Sequence, residues 1–203
     1  MKRTAIGMGL AEIATVMFMT AAAPKEEAKP AAKEGFPPEK MPLILYEDCK
    51  PGFQPPYSPS GWMGMTENIE FENCCTDNPR GSTCIKFTLT AGEWAGVVWQ
   101  YPANDWGEIP DGLNLTAAKR LTFLARGERG GEQVEFKMGV LGRDKPYPDS
   151  GSAGLTTRLS KQWKQYSVAL SGKNLKCIKT GFSCSIRGRS DPVTMYVDDI
   201  RYE

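Results

Sequence analysis

Residues 94–106 concentrate the side chains with the clearest chemical use: Trp94, Trp99 and Trp106 with Tyr101 fall within thirteen positions, and Trp62 lies upstream. Flat aromatic faces of this kind stack on the C–H faces of sugar rings or fill a β-sandwich core. Trp99 and Tyr101 alternate with Val97 and belong to a core face. Trp62, Trp94 and Trp106 stand among glycines and turn residues, where an indole stays exposed. Catalysis has less to draw on, because the chain holds no histidine, the commonest general base and catalytic metal ligand near neutral pH. Glu93, Asp105, Glu108, Asp111 and Glu135 offer carboxylates, but no spacing singles out the pair that a glycosidase needs on either side of one bond. A glycine-rich phosphate loop and a Gly-x-Ser-x-Gly elbow are both absent from the sequence. The chemistry points to recognition and to no enzyme.

Lys and Arg number 25 against 24 Asp and Glu, which leaves no global field to attract nucleic acid or anionic lipid. Met1, Lys2 and Arg3 precede an apolar run over residues 4–18, and Ala21, Ala22 and Ala23 close it. That order is the order of a secretory signal peptide, expected over residues 1–23. The run is shorter than a membrane span and carries Glu12, so no span is expected after processing. Residues 24–40 are mostly Pro, Ala, Lys and Glu and are expected to form a linker. The folded domain is expected over residues 41–203.

Within that domain, apolar residues recur with period two over residues 43–46, 84–89, 96–101, 121–125, 134–138, 163–168 and 195–200. These read as short strands. Gly-rich residues 127–131 and Pro110 to Gly112 are strong turn signals, and residues 115–120 hint at one helical turn. Many short strands joined by unequal loops predict an all-β fold, a jelly-roll β-sandwich. Alternation assigns Leu121, Phe123, Ala125, Val134, Phe136 and Met138 to the core. It leaves Arg126, Glu135 and Lys137, with Gln100 beside them, as a polar sheet face suited to sugar hydroxyls.

Six cysteines suit an oxidising compartment, hence the periplasm or the outside of the cell. Their spacing lacks a Cys-x-x-Cys pair, which argues against zinc. Cys75 with Cys84 and Cys177 with Cys184 would each close a short loop between strands, leaving Cys49 with Cys74 by elimination or as structural free thiols.

The stretches Gly61 to Gly64, Trp94 to Gly107, Leu121 to Gly127 and Tyr196 to Tyr202 together resemble an exported bacterial branch of the galactose-binding-like β-sandwiches, a superfamily that includes many carbohydrate-binding modules. The resemblance covers roughly residues 41–203. It implies a structural calcium ion joining the first strand to the last, at Glu47 or Asp48 and Asp198 or Asp199, where carboxylates and loop carbonyls would supply hard oxygen ligands. Members of that superfamily bind sugars or other proteins, and no single motif here specifies a ligand. The exposed aromatics and the polar sheet face lead to the expectation of a non-catalytic domain that binds a glycan through Trp62, Trp94, Gln100, Trp106, Arg126, Glu135 and Lys137. The alternative is a structural or assembly protein of the periplasm or cell surface that holds a cell-envelope protein with the same fold. Exposed aromatics favour the first reading, and the lack of an attached catalytic domain favours the second.

Overall fold

The computed structural model describes residues 36–77 and 79–203; the expected signal peptide and residues 24–35 of the expected linker lie outside the described residues. Residues 36–40 of that linker run along the folded domain. The Glu39 amide donates to the Asn114 carbonyl at 2.8 Å, and Asn114 Nδ2 donates to the Phe36 carbonyl at 2.7 Å.

The described chain forms eleven strands: β1 (Leu43–Tyr46), β2 (Ser58–Gly64), β3 (Ile69–Cys75), β4 (Cys84–Leu89), β5 (Trp94–Gln100), β6 (Arg120–Gly127), β7 (Gln133–Met138), β8 (Ala153–Arg158), β9 (Lys164–Ala169), β10 (Thr180–Arg187) and β11 (Val193–Tyr202). They build two antiparallel sheets. One runs β2-β5-β10-β7-β8; the other runs β3-β4-β11-β6-β9, with β1 also paired to β11. The expected all-β sandwich is therefore the observed one. The helical hint over residues 115–120 comes to a single turn closed by Ala118 N to Leu115 O at 2.9 Å. Among the described residues no helix is long and apolar enough to cross a membrane.

Period-two alternation decides what lies between the sheets. Val97 and Trp99 of β5, Leu121, Phe123 and Ala125 of β6, and Val134, Phe136 and Met138 of β7 all enter the core, and Tyr101 packs against it. Aromatic rings run through this core in mostly edge-to-face contact, from Trp62 to Phe71, Trp99, Phe182 and Phe123 with centroids 5.1 to 6.0 Å apart. Such contacts add about 0.5–1.5 kcal/mol each beyond the area they bury.

Burial is also achieved with charge. At the start of β10 the Lys179 ammonium, wholly enclosed, faces Asp105 Oδ2 at 2.7 Å and donates to the carbonyls of Ile109 and Asp111. Asp105 Oδ1 accepts the amides of Gly107, Glu108 and Ile109 at 2.8 to 3.2 Å. Burial alone would raise the Asp105 pKa, but Lys179 and these amides hold it below the ordinary value. The neighbouring loop is fixed by Asp149, whose carboxylate accepts the amides of Leu141, Lys179 and Thr180. Here burial wins and the Asp149 pKa rises despite those bonds.

Cysteine pairing differs from expectation except for one bridge. Cys49 and Cys74 are joined, which ties β3 to the chain just beyond β1, while Cys75, Cys84, Cys177 and Cys184 are free thiols. Cys75 and Cys84 face each other as register partners on β3 and β4 without a bond. Cys177 and Cys184 cannot meet. Cys184 is a core residue paired with Val97 and Phe136 inside β10, whereas Cys177 lies before that strand, against Asp111.

Removing one partner of a buried, hydrogen-bonded ion pair strands the other. Lys179→Ala is therefore expected to cost roughly 3–5 kcal/mol, measured by denaturant unfolding. A loss under about 1 kcal/mol, the range of an exposed ion pair, would show that Lys179 does not anchor the loop.

Candidate functional site

The outer face of the β2-β5-β10-β7-β8 sheet is built from the residues that alternation turns away from the core. Register places Met63, Gly96, Ser185, Glu135 and Thr156 in one row across all five strands. The adjacent row brings Trp94 opposite Arg187, and Gln133 opposite Arg158. Met63 lies over Gly96, its Cε 3.0 Å from where a Cβ would stand, and the small Ser185 leaves the surface low between Trp94 on one side and β7 and β8 on the other. The result is an open groove of about 470 Å³ lined by Glu93, Trp94, Gln133, Glu135, Thr156, Ser185 and Arg187. Trp94 is 44% exposed. Among the described residues neither the Glu135 nor the Arg187 side chain has a hydrogen-bond or ion-pair partner. A half-exposed indole beside an unengaged carboxylate and guanidinium is a surface equipped to hold a polar ligand with an apolar face.

The sequence-derived site residues divide over this frame. Trp94 and Glu135 line the groove, and Lys137 lies one step along β7 on the same face, opposite Ser183. Trp62, 41% exposed, pairs with Val97 and sets its ring edge-on to Phe71 at 5.5 Å. It borders the core side of the sheet, so Trp62 and Trp94 do not form one platform. Trp106, half-buried, sits in the loop after β5, at the opposite end of that strand from Trp94.

Gln100 is 1% exposed and structural: its Nε2 donates to the Asp105 carbonyl, and its Oε1 accepts from Ser60 Oγ, both at 2.9 Å. Gly61 makes this possible, since a Cβ there would lie 2.9 Å from the Gln100 amide carbon.

Arg126 belongs to the other sheet. β6 and β7 are consecutive but separated by a turn with Gly130 and Gly131 at φ 85° and 84°, which carries the chain from one layer to the other. Outward residues of β6 and β7 therefore point to opposite sides of the sandwich. Arg126 is buried, with its guanidinium 3.9 Å from the Tyr196 ring centroid and 5.7 Å from that of Trp163, a cation–π arrangement. Gln133, Thr156, Ser185 and Arg187 complete the groove without having been singled out. The alternation Phe182, Cys184, Ile186 against Ser183, Ser185, Arg187 was the available signal for the last two.

The calcium expectation falls on the corner where β1 and β4 meet end to end along β11. Asp48 and Asp199 both have positive φ, 48° and 51°. Asp48 Oδ1 accepts the amides of Ser82 and Thr83 at 2.9 Å, and Asp199 pairs with Arg201 at 3.0 Å and Arg80 at 3.6 Å. Glu47 instead meets Lys50 at 3.0 Å. Among the described residues no three His, Cys, Asp or Glu ligands converge where a metal ion could sit. Three of the acids as placed have their charge answered, Asp48 by backbone amides, Asp199 by Arg201 and Arg80, and Glu47 by Lys50. Asp198 is the exception, its carboxyl pushed up to about 6 by burial, with Asp199 and Asp48 adding to the rise against the Asp199 amide.

The two-sheet sandwich is a fold that the chain shares with solved carbohydrate-binding modules. It is similar to the family 11 carbohydrate-binding module of the cellulosomal cellulase Lic26A-Cel5E of Clostridium thermocellum, at 10% identity over 79% of this chain and 93% of that one, with a TM-score of 0.50. It also matches the family 30 module of the cellulosomal cellulase Cel9D-Cel44B of the same organism, at 14% identity over 81% and 98%, with a TM-score of 0.49. At such identities the likeness is one of fold. No protein-family model matches the chain, and no curated protein matches its sequence.

The raised Asp198 carboxyl gives a signed expectation. It binds its proton up to about pH 6 in the fold but only to the ordinary 3.8 when unfolded, so stability is lost as pH rises from 3.8 to 6 and stays lost above. Asp198→Asn keeps an acceptor for the Asp199 amide and should raise stability by roughly 2–3 kcal/mol at pH 8, with the gain vanishing below about pH 4. Melting curves across pH test this. The same curves run in chelator should not shift, and a drop restored by calcium would show that the corner rearranges to take the ion.

Proposed function

We propose that the chain is a non-catalytic glycan-binding module, exported to the periplasm or cell exterior, that seats a sugar chain in the groove of the β2-β5-β10-β7-β8 sheet. The observation that carries this reading is Trp94, half-exposed at the wall of a groove whose Glu135 and Arg187 are unengaged. An indole face covers the C–H face of a pyranose. The carboxylate accepts from sugar hydroxyls, the guanidinium donates to ring and hydroxyl oxygens, and Ser185 and Thr156 do either. None of these roles moves a proton, in keeping with a chain that lacks histidine. Leader-like residues 1–23 and the Cys49–Cys74 bridge support export.

The deciding experiment is a glycan array with the mature chain, followed by titration of the best binder. Trp94→Ala should weaken binding about tenfold or more, a loss of about 1.4 kcal/mol, with little change in melting temperature. Trp62→Ala, on the other side of the same sheet, should leave affinity unaltered. Normal glycan binding by the Trp94 variant would remove the groove from the reading. An array without any binder, with capture of an envelope protein instead, would transfer the fold to the assembly role.

A further inference from the structure

The outer face of the second sheet carries a row of groups that glycan binding does not use. Cys75 on β3 and Cys84 on β4 are register partners, and their side chains cluster with Tyr196 of β11. Both are free thiols and both are buried. Directly opposed residues of an antiparallel pair have Cα atoms about 4.5 or 5.5 Å apart, depending on their hydrogen bonding. Either value lies within the range a disulfide spans without backbone movement. The two thiols are not equivalent. Cys75 belongs to β3, an edge strand, and its Sγ accepts the Asp77 amide at 3.3 Å; burial raises its pKa and that bond offsets the rise only in part. Cys84 belongs to an interior strand and is fully enclosed. Beside it, Asp198 follows Val197, the register partner of Ile85, and so places a carboxylate next to the Cys84 position.

We propose that Cys75 and Cys84 form a redox-active dithiol, seen here reduced, that a low-molecular-weight disulfide donor converts to a cross-strand disulfide. Cys75, the thiol on the edge, attacks one sulfur of the donor, forms a mixed disulfide and expels the donor's other half as a thiolate. Cys84 then attacks Cys75 Sγ and expels the second half. The donor gains two electrons and two protons, the protein loses both, and each expelled thiolate takes up one proton released from a cysteine. Oxidation fastens β3 to β4 beside the Cys49–Cys74 bridge, so that two adjacent residues anchor the edge strand to different partners. Cys177 and Cys184 take no part, for they lie apart on β10 and before it.

The test treats the full chain with oxidised glutathione and maps its disulfides without reduction. The free-thiol count is expected to fall from four to two, with a new Cys75–Cys84 peptide, Cys49–Cys74 retained and an upward shift in melting temperature. In Cys84→Ser, glutathione should remain attached to Cys75, whereas Cys75→Ser should leave Cys84 unmodified. Recovery of both cysteines as free thiols from the treated wild type, or pairing of either with Cys49 or Cys74, would overturn the proposal, and the wild-type map decides even where a variant fails to fold. Glycan binding is read on the opposite sheet and should be the same before and after oxidation, so this proposal and the groove reading fail separately.

Discussion

Strand β10 carries the constraint from which the rest follows. It lies at the centre of its sheet, between β5 and β7, so its two faces cannot both be apolar without closing the outer surface. Alternation sends Phe182, Cys184 and Ile186 inward and Ser183, Ser185 and Arg187 outward. The inward set joins the aromatic contacts that hold the sheets together, with Phe182 touching both Trp99 and Phe123 at 5.1 and 5.3 Å. The outward set is small where the groove is deepest and charged where it ends. A one-residue slip would exchange the two sets, burying Arg187 and exposing Phe182. The Lys179 and Asp149 clusters at the start of the strand oppose that slip, since each fixes backbone or side-chain atoms at a set position along it.

Where the sequence was legible, one physical signal dominated its neighbourhood. Val97, Trp99 and Tyr101 alternate without interruption, and all three reach the core or its margin. Trp94 was readable as exposed because it begins a strand next to glycine and glutamate rather than among aliphatic residues. Strand β2 was not readable. Pro59, Gly61 and Gly64 suppress strand propensity, and they are tolerated because β2 is an edge strand paired only with β5. In β10 the alternation is present, but the spacing of Cys177 and Cys184 reads equally as a closed loop, and the burial of Cys184 against Val97 and Phe136 is a tertiary fact with no local mark.

The polar face shows a different limit. Alternation correctly turned Arg126, Glu135 and Lys137 away from the core, yet period two gives only inward or outward, never which of two outer surfaces. That choice is made by the connection from β6 to β7, where Gly130 and Gly131 take the chain across to the other layer. Arg126 consequently meets Tyr196 and Trp163, while Glu135 meets the groove. A polar residue on an outer face is thus evidence of solvent or ligand only after its sheet is known. Gln100 adds that even an outward polar residue can be consumed internally, here by Ser60 and the Asp105 carbonyl.

The two outer faces are separated by a core of interlocking rings, and this separates their chemistry. The Glu135 and Arg187 side chains at the groove have no partners, so their hydrogen-bonding capacity is unspent. The opposite face does the reverse: Lys86 bridges Glu72 and Asp77 at 3.4 and 2.9 Å, and Tyr196 donates to Glu128 at 2.6 Å. A paired face resists a polar ligand, because binding would first have to break those bonds. Unpaired charge next to an exposed indole therefore distinguishes the β2-β5-β10-β7-β8 face from the β3-β4-β11-β6-β9 face, where most of the charged side chains are held by neighbours.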